Sequence, residues 1–313
     1  MSSLRICLFG SRARVIHVLP PGIGGEQKVA RCVQRLLAYL LLKRRRLHAR
    51  EILVEQLWSG HDSEHARACL NTTLWRLRTV LEPPGVARGT YLLTTSDGEI
   101  GLNPDGRLWL DVAIFEENAR LTALQAVEKA SDSQAQNLER ALQLYCADLL
   151  EGFYDNWLVE EQARLRQLRL DVFEWLFRYY RRQGASERSL LLGQRILEQD
   201  PLREDIHREL MELYRDCGQR TLALRQYEIC RQTLAAELGI QPMTETQALY
   251  TDLRGTSPLA DPLCDSVPPP DLQQALERLE LARRAFTEAA ERLRQAIQVV
   301  EQLSRATLQQ DIQ

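Results

Sequence analysis

The sequence is short of the residues that build metal and catalytic centres. Five histidines occur in 313 residues: His17, His48, His61, His65 and His207. Only His61 and His65 lie close together, one helical turn apart with Glu64 between them, and no third ligand stands near, so no metal is expected. The seven cysteines are Cys7, Cys32, Cys69, Cys146, Cys217, Cys230 and Cys264. None lies at Cys-x-x-Cys spacing. That argues against a zinc ribbon or a disulfide framework and predicts reduced, mostly buried thiols in a cytoplasmic protein. The glycines of Pro20-Pro21-Gly22-Ile23-Gly24-Gly25 are not followed by Gly-Lys-Ser/Thr, so this stretch reads as a loop and not as a phosphate cradle. The apolar run Leu36–Leu42 is far below the about 20 residues that span a bilayer. Met1–Gly10 has Arg5 but no long apolar run, so no signal peptide is expected. No catalytic constellation remains, and neither an enzyme nor a cofactor is expected.

Charge is not one-sided in total, at −3, but it is unevenly placed. Residues 1–110 carry 16 Lys/Arg against 9 Asp/Glu, and the rest carries 24 against 34. A basic front half suits a polyanion-binding module joined to something that is not one. Within it, Asp62–Glu82 predicts a helix, with N-cap chemistry from Asp62 and Ser63 and a stop at Glu82-Pro83-Pro84-Gly85. Leu70, Leu74, Leu77 and Leu81 share one face. The other side carries Arg67, Asn71, Thr72, Trp75, Arg76 and Arg78, whose guanidinium, carboxamide and hydroxyl groups suit base edges and phosphates. Trp75 has an alternative place, packed beneath a neighbouring hairpin.

The flanks complete the pattern. Leu4–Leu19 predicts two or three short strands turning at Gly10-Ser11. Lys28–Leu42 predicts a first helix ended by Lys43-Arg44-Arg45-Arg46, and His48–Trp58 a second, with His48 on the surface or capping. Tyr91–Thr95 and Glu99–Leu102 flank Ser96-Asp97-Gly98, a strong hairpin signal. Strands, three helices and a hairpin follow the order of a winged helix-turn-helix, whose third helix reads the major groove while the hairpin lies on an adjacent groove or backbone. Arg45, Arg46 and Arg67 are the phosphate candidates, and Thr95 and Ser96 the wing contacts.

From Asp111, read as the cap of the next helix, to about Gly255 the pattern is helical, including a long Arg-rich helix from Asn156 to Gln183. Leu176, Tyr180 and Gly184 recur as Leu210, Tyr214 and Gly218, a spacing of 34, and Ser189 is matched by Ala223. Pro201 closes one unit, and Tyr227 fills the aromatic slot of the second. That period, with those small, aromatic and turn positions, is the signature of a tetratricopeptide repeat. Thr256–Pro270 holds Pro258, Pro262, Pro268, Pro269 and Pro270 and reads as an extended linker. From Asp271, Leu272, Leu276, Leu279, Phe286, Leu293 and Ile297 keep coiled-coil steps interrupted by Arg283, with docking on its own chain as the alternative.

The fold class is therefore mostly α. A winged helix-turn-helix (1–110) precedes a tetratricopeptide-like helical domain (111–255), a Pro-rich linker (256–270) and a C-terminal amphipathic or coiled-coil helix (271–313).

The segments QRLLAYLLL, REILVEQLW, ARACLNTTLWRLRTVLE and TYLLTTSDGEIGL resemble the winged-helix DNA-binding domain of response-regulator output type, and more narrowly that of actinomycete antibiotic regulatory proteins. LLEGFYDNWL, DPLREDIHRELMELYRDCGQRTLALRQYE and LAAELGIQPMTETQALY resemble the bacterial transcriptional activator domain. The resemblance implies a transcriptional activator that binds direct-repeat double-stranded DNA as a homodimer. In it the helical domain packs on the DNA-binding domain and supports dimerisation or contact with RNA polymerase. The NTPase module of the family's larger members is not expected in this sequence, which has no phosphate loop, and neither is a receiver domain.

Two readings stay open. The arginine group Arg164, Arg178, Arg181, Arg182 and Arg195 stands in the acidic half. Glu partners at helical spacing would make it a set of solvated faces, whereas convergence would hold an anionic effector such as a cyclic dinucleotide, a nucleotide second messenger. The rival to DNA binding is a helical-repeat interaction scaffold, which needs no wing and no polar third helix.

Overall fold

In the computed structural model, residues 3–19, 22–27, 29–60, 62–124, 127 and 130–255 are described. The expected linker (256–270) and C-terminal helix (271–313) lie outside the described residues, as does His61.

Alternation makes the first strand: β1 (Ser3–Cys7) buries Leu4 and Ile6 and exposes Arg5 between them. It pairs antiparallel with β2 (Arg14–Leu19), which pairs antiparallel with β3 (Gly22–Gln27). On its other edge β1 pairs in parallel with β6 (Leu108–Leu110), giving the order β3-β2-β1-β6. The stretch read as a loop at Pro20–Gly25 is thus corrected: Gly22–Gln27 is an edge strand. Its pairing uses backbone groups that glycine supplies, and an edge tolerates the missing side chains.

Helix α1 (Arg31–Leu42) begins three residues later than the periodicity predicts. Gln34 explains the delay: its side chain donates to Val29 O at 2.7 Å and accepts from Ala13 N at 2.8 Å, holding the preceding chain extended. Helix α2 (Arg50–Trp58) also starts late. His48, expected on the surface or as a cap, is buried and pairs through its backbone with Ile100, at 2.8 and 2.9 Å. It sits edge-on to Tyr39, and burial pushes its pKa down. Helix α3 (Ser63–Leu81) follows, then β4 (Leu92–Thr94) and β5 (Ile100–Leu102) as an antiparallel hairpin.

Asp111 opens α4 (Asp111–Leu124) but does more than cap it. Its buried carboxylate accepts from Val112 N at 2.7 Å, Leu8 N at 2.8 Å and Phe9 N at 3.0 Å, tying α4 to the end of β1. Burial raises its pKa, partly offset by those bonds. The helices α5 (Asp132–Leu144), α6 (Asn156–Arg182), α7 (Ser186–Gln199), α8 (Glu204–Asp216), α9 (Arg220–Leu238) and α10 (Thr244–Gly255) complete the unit.

The spine is α6. Its start (Trp157, Leu158, Leu165) belongs to the core that also holds β1, α1 and α3; its middle (Val172, Trp175, Leu176) packs with α5; and Phe177 enters the core of α7–α10. Arg35 of α1 clasps Asp155 with two bonds and reaches Leu57 O at 2.7 Å, while Tyr39 stands edge-on to Trp157 at 5.2 Å. Residues 1–255 accordingly form one compact unit.

The 34-residue spacing is visible in the packing. Leu176 and Leu210 are fully buried, Tyr180 and Tyr214 nearly so, and Gly184 and Gly218 both end a helix with φ of 71°. Fully buried Ser189 and Ala223 let α7 and α9 approach their partners, and the Ser189 hydroxyl donates to Phe177 O at 3.1 Å. Of the six described cysteines, all free, only Cys7 and Cys230 are buried; Cys146 and Cys217 sit exposed at helix ends, so the expectation of mostly buried thiols is corrected.

Candidate nucleic-acid interface

Helix α3 begins where Asp62 accepts from Glu64 N at 3.0 Å and His65 N at 3.4 Å. These bonds satisfy two of the backbone donors that a helix start leaves free. Ala66, Leu70, Thr73, Leu77 and Leu81 are buried, and Leu74 is half-buried. The opposite stripe is exposed: Arg67, Asn71, Thr72, Trp75, Arg76 and Thr79. Trp75 is 68% exposed, so it stands out from the helix and does not pack beneath the hairpin. Arg67 and Arg76 form no ion pair with the described residues. The hydroxyls of Thr72 and Thr79 donate to Ala68 O and Trp75 O, both at 3.0 Å, and both residues are exposed.

Arg78 has a different place from its neighbours on the polar side. It is half-buried, and its guanidinium donates to Glu82 Oε2 at 3.0 Å, Leu92 O at 3.2 Å and Thr94 Oγ1 at 3.3 Å. It clamps α3 to the hairpin with three of its five N–H donors. Glu82, which the sequence offered only as a stop signal, is the hub of that clamp. Its side chain is 2% exposed, and Oε1 accepts from Gly89 N, Tyr91 N and Leu92 N at 2.9–3.0 Å. Burial raises its pKa, but the three backbone bonds and Arg78 outweigh that and hold the carboxyl below its ordinary value.

The hairpin turns at Gly98, with φ of 84°. Thr95 Oγ1 accepts from Glu99 N at 3.1 Å, while Ser96 is exposed and donates to Asp97 Oδ1 at 3.3 Å. Of the two, Thr95 is a turn-builder and Ser96 is the outward group.

A groove of about 590 Å³ lies between α2 and α3, lined among others by Arg50, Glu55, Trp58, Arg67 and Asn71. Arg50 Nη1 donates to Asn71 Oδ1 at 2.6 Å, orienting the carboxamide so that its NH2 remains to donate. Sequence reasoning missed Arg50. The signal was its position: a cation in the first turn of a helix opposes the helix dipole and so needs another reason to be there. Arg45 and Arg46 are exposed in the turn after α1 but do not line this groove; they line cavities against α4 and α6.

Of the two readings left open for the arginine group, the described residues show carboxylate partners for most of it and no convergence on one place. Arg164 pairs with Glu116 and, at 2.7 Å, with Glu161; Arg178 pairs with Glu174. These two stand 14 residues apart on one helix, about 21 Å along its axis. Arg181 reaches Glu209 at 2.6 Å and Glu212 on α8; Arg182 donates to Val127 O at 3.4 Å; and Arg195 lies 3.9 Å from Glu198. Dense arginine in sequence has become four carboxylate-paired side chains and one, Arg182, on a backbone carbonyl.

No described helix is long and apolar enough to cross a membrane, and the described residues hold no cluster of three or more metal-ligating side chains. Residues 110–254 match the family described as the bacterial transcriptional activator domain. Regulatory protein AfsR of Streptomyces coelicolor is 30% identical over 226 residues, 71% of this chain and 22% of AfsR, so the chain spans under a quarter of that relative. Transcriptional regulatory protein MoaR1 of Mycobacterium tuberculosis is 28% identical over 228 residues, 72% of this chain and 73% of MoaR1. In fold the chain is similar to Mycobacterium tuberculosis EmbR, solved in complex with a low affinity phosphopeptide, with a TM-score of 0.66 at 20% identity over 83% of this chain and 67% of that one. The activator domain at 110–254, with regulators aligned along about seven-tenths of the chain, places it among the actinomycete antibiotic regulatory protein-like transcriptional regulators.

Proposed function

We propose that the chain is a sequence-specific DNA-binding transcriptional activator. In this reading α1–α3 with the β4–β5 hairpin act as a winged helix-turn-helix, and α6–α9 as a tetratricopeptide-like repeat. The observation that carries it is the outer stripe of α3, where Asn71, Thr72, Trp75 and Arg76 stand exposed with Arg67 beside them. Arg76 and the Asn71 NH2 have the donors that guanine and adenine edges accept in the major groove. The Trp75 face and the threonine methyls suit thymine methyl groups. Arg50 and Arg67, rimming the α2–α3 groove, meet phosphates, with Arg46 as an outlying contact, and Ser96 carries the wing onto the backbone. Arg78 serves by holding the wing to α3.

Two copies on a direct repeat and contact with RNA polymerase are the expected mode, by analogy with the regulators this chain resembles. The site of action is the cytoplasm. Selection of bound sequences from a random duplex library, followed by fluorescence anisotropy on the winner, tests the reading. A single enriched motif bound by the wild type and weakened in Arg76→Ala is the expected result. Enrichment of no motif leaves the scaffold reading.

A further inference from the structure

Two cavities meet at the turn that follows α1. The first, of about 440 Å³, is walled by Leu102, Pro104, Leu108, Leu110, Ala113 and Tyr91. Tyr91 is 2% exposed, and its hydroxyl is buried with no hydrogen-bond partner among the described residues. The second cavity, of about 480 Å³, is an open basin lined by Lys43, Arg44, Arg45, Arg46, Arg120 and Arg164, with Glu116 and Glu161 as its two acids.

The charge in the basin is not neutralised from within. Glu161 holds Lys43 at 2.6 Å and Arg164 at 2.7 Å, and Glu116 holds Arg164 and approaches Arg44 to 3.7 Å. Arg45, Arg46 and Arg120 are exposed and form no ion pair among the described residues. Arg44 and Arg45 line both cavities. The slot, which also carries Asn103 in its wall, therefore borders the cationic basin.

We propose that slot and basin form one binding site for a small organic phosphate of the nucleotide class. The flat body enters the slot beside the Tyr91 ring, and the phosphates lie against Arg45, Arg46 and Arg120. The volumes suit such a ligand, since small-molecule sites typically run to about 300–1,000 Å³. Inorganic phosphate or a duplex backbone would use only the basin, and an apolar molecule only the slot. Of the arginines the sequence suggested for an anionic effector, only Arg164 reaches this place.

Isothermal titration of the full chain with ADP, GDP, pyrophosphate and adenosine, at one ionic strength, tests the proposal. At least one of the two nucleotides should bind more than tenfold tighter than both pyrophosphate and adenosine. Arg120→Gln should weaken that nucleotide more than tenfold, as for a charge-assisted hydrogen bond. Arg178→Gln, which removes a charge elsewhere, should leave the titration unaltered. Nucleotides binding no tighter than pyrophosphate or than adenosine, or wild-type affinity in Arg120→Gln, would overturn it. The readout uses no DNA, so its outcome is independent of the DNA-binding reading.

Discussion

Arginine does opposite work in the two halves of the described chain. Behind α4 nine of the sixteen described arginines have a carboxylate within reach, among them Arg164, Arg166, Arg178, Arg181, Arg203 and Arg231. In the front half Arg45, Arg46, Arg67 and Arg76 form no ion pair among the described residues. The density of arginine is similar to the eye, but what differs is the carboxylate supply within reach. An unpaired guanidinium keeps its charge and its donors for a ligand, whereas a paired one has largely been neutralised. The lesson is that a binding face is marked less by its cations than by the absence of their local counter-charges.

Arg78, like Arg35 and Arg44, is a front-half arginine with a carboxylate, and it alone of the three stands on α3. Its partner Glu82 serves three backbone N–H groups as well, so removing the carboxylate strands four donors at once. Glu82→Ala should cost about 3 kcal/mol of stability, read from the midpoint of chemical denaturation, and should weaken DNA binding by freeing the hairpin. Its pH dependence follows from the lowered carboxyl pKa. The stabilisation is fully present above the ordinary glutamate value and drains away as pH falls through the lower value in the folded chain. In Glu82→Gln that part of the acid limb should disappear; an unchanged acid limb would show that the carboxylate contributes nothing.

Arg76 sharpens the contrast. With no carboxylate to lose, Arg76→Ala should leave stability within about 0.5 kcal/mol of wild type. It should nevertheless weaken specific DNA binding by about 1–3 kcal/mol and relax base preference at one position. Arg67→Ala should act more weakly and without regard to sequence, lowering the slope of log affinity against log salt by about one. Anisotropy titrations over a salt series separate the two; equal loss on random and selected duplexes for Arg76→Ala would remove its role as a base reader.

What could be read from the sequence was what local chemistry decides. The Asp62 cap, the Glu82-Pro83-Pro84 stop and the Asp97-Gly98 turn are each settled within a few residues, and the ends of α3 and the hairpin follow from them. The 34-residue recurrence of leucine, tyrosine and glycine is likewise a pattern along the chain. Features fixed by distant partners stayed hidden. Asp111 serves amides 102 and 103 residues away, His48 is drawn from its expected helix by Ile100, and Gly22–Gln27 becomes a strand only because β2 offers it an edge. The direction of a side chain is equally non-local, which is why clustered Arg178, Arg181 and Arg182 gave no hint that they face three different partners.

The smallest effect tests the other side of the comparison. Arg178 is half-exposed and pairs with Glu174 one turn earlier on the same helix. Such a pair gains little from Coulomb attraction in high dielectric and gives up side-chain entropy to form, so helical neighbours of this kind contribute about 0.3–0.5 kcal/mol. Arg178→Ala should therefore lower stability by no more than about 0.5 kcal/mol, and the loss should shrink as salt is raised. Specific DNA affinity should be unchanged, because the charge removed was already answered by Glu174. A DNA-binding defect in Arg178→Ala as large as that of Arg76→Ala would mean that local pairing does not decide which arginines meet the duplex. The division between the two halves would then have to be sought in shape instead of in charge.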